Sequence, residues 1–191
     1  MTHSKMRLIV ASNNSNKLRE FREILGERFD IVSMHEAGID ATFEENALIK
    51  ANYVMNACHC AAIADDSGLE VDALGGAPGV YSARYCGRHG DDDANNALLL
   101  RNLEGIPAPR KARYVAAIAL VRSGHAPIVC RGTCEGEILT EGRGNGGFGY
   151  DPLFLCETGK TFAEISPEVK NAISHRKRGI EAVLHALEAE Q

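Results

Sequence analysis

A mixed α/β fold is what this sequence predicts, from three features. Short runs are dense in β-branched and small apolar residues, longer stretches repeat apolar residues every three or four positions, and polar or glycine-rich breaks separate the two. With 191 residues the chain has room for one substantial core or two small lobes, so a single domain spanning 1–191 is expected. A composition of 45% hydrophobic and 25% charged residues excludes the disordered and collagen-like classes.

The elements follow in order. Arg7 to Ala11 reads as a buried strand and Ser12 to Asn16 as a polar turn; Leu18, Phe21, Ile24 and Leu25 then recur at helical spacing up to a stop at Gly26. Phe29 to Met34 suits a second strand. From Thr42, the expected N-cap, the positions Phe43, Ala47, Ala51, Met55 and Cys58 mark a long amphipathic helix. Ala61 to Ala64 predicts a strand that delivers Asp65 and Asp66 into a Ser67-Gly68 turn, and Gly75 to Gly79 a loop. Asp91-Asp92-Asp93 opens a helix carrying Leu98 to Leu103; acids there fit the helix dipole and read as capping and solvated charge rather than a metal site. Tyr114 to Val121 and Ile128 to Ile138 predict two strands with Ser123-Gly124 between them, and Tyr150 to Leu155 another after glycine-rich 142–149. Ser166-Pro167-Glu168 has the cap, proline and acid of a helix start, and Ser174 caps a last helix with Ile180, Val183, Leu184 and Leu187 inward.

Several function classes are excluded. A net charge of −5 lacks the basic face that nucleic-acid binding requires. The first apolar run, Leu8 to Ala11, is too short for a secretory or membrane segment, so a reducing, cytoplasmic location and no membrane partner are expected. Six cysteines are then expected as free, buried thiols, since Cys58-His59-Cys60 and Cys130…Cys134 lack the paired spacing of a zinc site. The stretch GRGNGGFG matches a dinucleotide fingerprint in two registers, from Gly142 and Gly144, but leads into an apolar run instead of a helix and reads as a hairpin loop.

Chemistry concentrates elsewhere. AIADDSGLEV sets two acids at the end of an apolar run, where each buried charge costs several kcal/mol unless compensated. Successive strand residues face opposite sides, so one aspartate should face the site while its neighbour is held by hydrogen bonds. Glu44-Glu45-Asn46 occupies the first turn of its helix; if that turn faces Asp65-Asp66, three or four carboxylates converge with no evident local basic partner. Such a cluster calls for a hard cation, Mg²⁺ or Mn²⁺, with phosphate oxygens completing its shell. Ser12-Asn13-Asn14-Ser15-Asn16-Lys17, between a strand and a helix N-terminus, suits a phosphate, with Lys17 as a point charge; plain capping by Ser15 or Asn16 is the alternative.

SNNSNK, FEENA, ADDSGLEVDALGGAPGVYSARY, GGFGYDPLF and KNAISHR, in this order from Ser12 to Arg176, resemble the inosine triphosphate pyrophosphatase family. The resemblance implies an elongated mixed β-sheet flanked by helices, two lobes with a central cleft, and a homodimer. It further implies Mg²⁺-dependent hydrolysis of dITP, ITP and XTP to the monophosphate and pyrophosphate. Ser12, Asn13, Asn14, Ser15, Asn16 and Lys17 would hold the phosphates, and Glu45 and Asp66 the metal. Asp66 would accept the proton of the attacking water, and Ser67 would contact substrate. Phe148, Gly149, Tyr150, Asp151, Lys170, His175 and Arg176 would form the nucleotide pocket. Asn13 stands where many members have glycine, and asparagine tolerates the positive φ such a loop uses. Only the resemblance prefers Asp66 over Asp65 as the base.

Selectivity would come from donors to the purine 6-oxo group, with His175, Arg176 and the backbone around Phe148 as candidates, because a 6-amino group would leave them unpaired. Either aromatic ring, Phe148 or Tyr150, stacks on the base or packs in the core. Asp151 precedes Pro152 and is biased toward extended backbone, which would fix its carboxylate. A catalytically silent nucleotide sensor would lack Asp66 or Glu45, and both are present. A substrate panel separates an enzyme acting on pyrimidine nucleotides.

Overall fold

The structure, a computed structural model, describes residues 5–10, 15–33, 37 and 41–190, and of 15–17 the backbone. It divides into two compact units, 1–41 and 42–191. In the first, β1 (Met6–Val10) and β2 (Phe29–Ser33) pair in parallel, from Met6 opposite Phe29 to Val10 opposite Ser33, and α1 (Ser15–Leu25) connects them. Val10, Leu18 and Ile31 form its small core, and the Gly26 amide donates to Arg22 O where the helix stops. Phe21 and Ile24, expected on the inner face of α1, are exposed instead.

The second unit is built on an antiparallel sheet in the order β3 (Ala62–Val71), β4 (Lys111–Val121), β5 (Ile128–Ile138), β6 (Phe154–Leu155). α2 (Phe43–Cys58) lies on one face: its Phe43, Ala47 and Ala51 pack with Val115, Ala117 and Ala119 of β4. α5 (His175–Glu188) lies on the other, where Val183 packs with Ala116 and Ile118. Adjacent β4 residues thus serve opposite layers, as strand alternation requires. α3 (Asp92–Asn102) and α4 (Pro167–Ile173) complete the unit. The caps fall as expected. Thr42 Oγ1 accepts from the Glu45 amide and Glu45 Oε2 accepts from the Thr42 amide, a full capping box; Asp91, Ser166 and Ser174 cap α3, α4 and α5.

Three expectations need correction. β3 does not end at the aspartates. It runs through Ser67 and Gly68, and Gly68 is small because an added Cβ would lie 2.5 Å from both Gly79 O and Ser82 Oγ. That contact covers the outer edge of β3, where Ser82 Oγ accepts from the Leu69 amide at 2.8 Å. Tyr150 to Leu155 is a strand only over its last two residues; before them the chain turns, with the Asp151 amide donating to Phe148 O and the Leu153 amide to Tyr150 O. Buried apolar side chains in consecutive turns mimic a strand in sequence. The thiols are free, but Cys58, the last residue of α2, and Cys60 just after it are exposed, and only Cys134 and Cys156 are buried.

α5 seats through Gly179 and Val183, leaving Ile180 and Leu184 exposed against expectation. The reason is a glycine-to-glycine approach: a Cβ on Gly132 of β5 would lie 2.2 Å from both Gly179 N and His175 O. Backbone against backbone leaves no flexible atom to yield. Replacing Gly132 by alanine should therefore cost about 1–3 kcal/mol, read as a lower urea midpoint. An unchanged midpoint would show that α5 is not seated there.

Candidate active site

β3 carries the adjacent acids, and its register with β4 decides where each points. Asp66 is opposite Ala117, on the α2 face, and Asp65 is opposite Ile118, on the α5 face. Asp66 Oδ2 accepts from Asn46 Nδ2 at 3.1 Å, and its Oδ1 lies 2.5 Å from Lys50 Nζ, which also donates to Asp65 O. Asp65 Oδ2 accepts from Arg176 Nε and Nη2 at 3.1 and 2.9 Å, and Arg176 Nη2 also reaches Ser67 Oγ at 3.1 Å. The carboxylates therefore do have basic partners, contrary to the sequence reading. Lys50 lies one helical turn after Asn46 on α2, and Arg176 is 111 positions from Asp65.

Glu45 stands beside Asn46 and commits Oε2 to the Thr42 amide. Glu44 turns away to Arg131 on β5, which also pairs with Glu70. Among the described residues no three His, Cys, Asp or Glu side chains gather to cage an ion. Glu45 and Asp66 as hard oxygen donors fit an ion that takes few protein ligands, as Mg²⁺ does, better than one that needs a closed cage.

Beyond Ser67 the α5 face opens into two adjoining cavities, about 550 and 190 Å³, which share Phe148, Lys170, His175 and Arg176 as walls. Asp151 organises this region. Its carboxylate is buried, 1% exposed, and every contact is a donor: Tyr114 Oη at 3.1 Å, the Phe148 amide at 2.9 Å and Lys170 Nζ at 2.5 Å. Burial and Asp151 together push the Tyr114 hydroxyl well above its usual range, so it remains a donor. Gly147, at φ +74°, passes so close that a Cβ would lie 2.0 Å from Asp151 Oδ2. These partners fix the carboxylate within a turn of the chain.

The two candidate aromatic rings part company. Tyr150 is 3% exposed, its hydroxyl donates to Ser82 O at 2.8 Å, and it packs in the core while lining the smaller cavity. Phe148 is 65% exposed, with Lys170 Nζ 4.4 Å from its ring centroid. The Phe148 amide is spent on Asp151. His175 opens α5, stacks on Tyr114 at 4.9 Å and is 5% exposed; its Nδ1 is buried with no partner.

The structure thus gathers Ser67, Phe148, Gly149, Tyr150, Asp151, Lys170, His175 and Arg176 around the cavities, and places Asp66 on the opposite face of β3 with α2. Ser12, Asn13 and Asn14 lie outside the described residues; Ser15, Asn16 and Lys17 begin α1, so neither Ser15 nor Asn16 is an N-cap, and their side chains lie outside the description. Sequence reading missed Lys50, Asn46, Tyr114 and Ser82. Of the acidic cluster read as capping and solvated charge, Asp91 caps α3 and Asp93 is exposed. Asp92 Oδ2 instead accepts from the Gly149 amide at 2.6 Å.

Burial, then the charges of Arg176 and Lys170, push the His175 imidazole down to about 3, against a smaller opposing pull from Asp65. The unfolded chain binds this proton near ~6.5. Between those values the unfolded state takes up a proton that the folded state refuses, so stability falls as pH drops from 6.5 toward 3. Nitrogen-detected NMR should show a neutral imidazole at pH 5, and the loss of stability between pH 7 and 4 should be smaller in His175→Phe than in the wild type. An imidazolium at pH 6 would contradict the burial.

With this geometry in place, comparisons define the family. The Ham1 family model matches residues 8–186. A dITP/XTP pyrophosphatase of Mycolicibacterium paratuberculosis is 48% identical over 195 residues, 95% of each chain. The Ham1 protein of Staphylococcus aureus has a similar structure, with TM-score 0.73 at 39% identity over 97% of this chain and 100% of that one. A nucleoside-triphosphatase, dITP/XTP pyrophosphatase, of Mycobacterium abscessus gives 0.68 at 44% identity over 95% and 100%. The predicted α/β class and the resemblance noted in the sequence both stand: this chain belongs to the Ham1 family.

Proposed function

We propose that this protein hydrolyses non-canonical purine nucleoside triphosphates, dITP, ITP and XTP, to the monophosphate and pyrophosphate. The observation that carries the reading is the arrangement on β3: one carboxylate, Asp66, meets the Glu45 turn of α2, while its neighbour Asp65 anchors Arg176 at the mouth of a base-sized cavity. The names of the relatives, dITP/XTP pyrophosphatases, support the substrate class.

In this reaction a water oxygen bonds to the α-phosphorus, and the bond from that phosphorus to the bridging oxygen breaks, releasing pyrophosphate. Asp66 is the group assigned to take the water proton. A carboxylate is a weak base, so positioning and charge neutralisation must supply most of the rate. Glu45 and Asp66 would hold Mg²⁺, or Mn²⁺ in its place, which when bound lowers the pKa of water and neutralises phosphate charge. Lys17 and the 12–17 loop are assigned to the phosphates, and Ser67 to substrate contact. Phe148 stacks on the purine, while Gly149, Tyr150, Asp151 and Lys170 shape the pocket around it. Arg176 donates toward the 6-oxo group, and neutral His175 offers one donor there without adding charge. A 6-amino group meets these donors with a donor of its own, which disfavours ATP. The family resemblance extends the proposal to a homodimer in the cytoplasm, with sedimentation as the check on its mass.

Pyrophosphate release should be rapid from dITP and XTP, slow from ATP, and lost when EDTA removes divalent ions. Asp66→Asn, which keeps volume and removes charge, should lower kcat by roughly 10²-fold or more while the urea midpoint stays close to wild type. Folded protein that releases no pyrophosphate from dITP, ITP or XTP with Mg²⁺ would defeat the proposal.

A further inference from the structure

Gly149 is held on both sides of its backbone by a helix far away in sequence. Its amide donates to Asp92 Oδ2 at 2.6 Å, and its carbonyl accepts from Asn96 Nδ2 at 2.9 Å. Asp92 and Asn96 are one turn apart on α3 and so present a donor and an acceptor from one helix face. Gly149 sits at φ +61° with open space where a Cβ would be, so glycine is needed for the backbone angle and not for clearance. On either side of it are Phe148, whose ring is exposed and whose amide binds Asp151, and Tyr150, whose ring is locked in the core.

The role of Asp92 differs from that of its neighbours. Asp91 caps the helix through the Ala94 amide, and Asp93 is exposed. Helix capping would leave Asp92 free to face water, yet it lines the smaller cavity and makes a charge-assisted bond to the loop. Asn96 adds a second tie to the same residue although its own Oδ1 is buried without a partner. An unsatisfied buried oxygen is a cost that simple helix stability does not explain.

We propose that Asp92 and Asn96 are positioning residues for substrate recognition: they clamp Gly149 so that Phe148 stands over the cavity before the base arrives. The exposed ring has little packing of its own, so its stance is set by the backbone on which it hangs. Asp151 and Lys170 hold the loop from below, and the α3 clamp holds it from the side. Releasing the clamp lets the ring wander, and the cost of ordering it moves into substrate binding. Chemistry at Asp66, on the other face of β3, is untouched.

This inference rests on the nucleotide-hydrolysis reading, and the experiment separates the two. Wild-type turnover of dITP with Mg²⁺ is measured first, followed by Asp92→Ala, Asp92→Asn, Asn96→Ala and Asp93→Ala. The expected result is that Asp92→Ala and Asn96→Ala each raise KM for dITP roughly tenfold with kcat within about twofold. Asp92→Asn, which keeps an acceptor oxygen, should restore much of the loss. Asp93→Ala removes the same charge from the same helix turn without the bond, and should match wild type. An unchanged KM in Asp92→Ala and Asn96→Ala, a fall in kcat at constant KM, or an equal effect from Asp93→Ala would overturn the clamp while leaving the activity standing. A folded wild type inert toward dITP would sink both readings.

Discussion

Everything at this site depends on the alternation of one strand. Consecutive residues of β3 must face opposite sides of the sheet, so Asp65 and Asp66 cannot share one pocket. The ladder with β4 fixes which goes where, pairing Asp66 with Ala117 on the α2 side and Asp65 with Ile118 on the α5 side. Each face then supplies its own cation, Lys50 on α2 and Arg176 on α5. A slip of one residue would exchange the two partners, and the buried alanines on both faces of β4 make that slip costly. The proposed chemistry on one side and the proposed recognition on the other are thereby joined through adjacent peptide units.

On the recognition side the corresponding anchor is the Asp151 carboxylate. It ties together β4 through Tyr114, the loop through the Phe148 amide, and α4 through Lys170. Removing one partner of such a buried pair typically costs about 3–5 kcal/mol, because the remaining charge stays buried. The ion pairs of Arg113 with Asp72 and Glu135, and of Arg131 with Glu44 and Glu70, are half-exposed and contribute far less each. Charge count is therefore a poor guide to what holds this unit together, and the number of donors converging on one buried acceptor is a better one.

Much of this was legible in the sequence where local rules decide. Thr42, Ser166 and Ser174 cap the helices they were expected to cap, and β5 runs from Ile128 to Ile138 as read. Legibility failed where a distant segment set the rule. Ser67-Gly68 looks like a turn, but Gly68 is small for the sake of Ser82 and Gly79. Ile180 and Leu184 have the spacing of an inner face, yet the contact of Gly179 with Gly132 rotates α5 onto Val183. Gly179 in mid-helix was the available signal, since glycine there costs about 1 kcal/mol against alanine without some packing reason. Of the site residues named through the family motifs, Ser67, Phe148 to Asp151, Lys170, His175 and Arg176 line the cavities on the α5 face and Asp66 lies with α2, but the partners that hold them, Lys50, Tyr114 and Asp92, follow no motif and emerge only from pairing.

The pocket's one exposed aromatic ring then acquires a physical sense. An apolar ring left 65% exposed gains little from burial in the free protein, while the loop beneath it is held at the Phe148, Gly149 and Asp151 amides. A rigid loop offering an unfilled apolar surface is organised for a flat partner: stacking covers the ring, and little ordering entropy is lost on binding. Lys170 beside the ring limits which partner gains most, because its ammonium already serves Asp151 and has less to offer a second acceptor. Neutral His175 at the other wall adds no charge of its own, so on the proposed reading it would meet the edge of a base through hydrogen-bond polarity beside the Arg176 guanidinium. Polarity is the property in which a 6-oxo purine differs from its 6-amino counterpart, and on the proposed reading a rigid wall is the surface on which that difference would be least blurred by rearrangement.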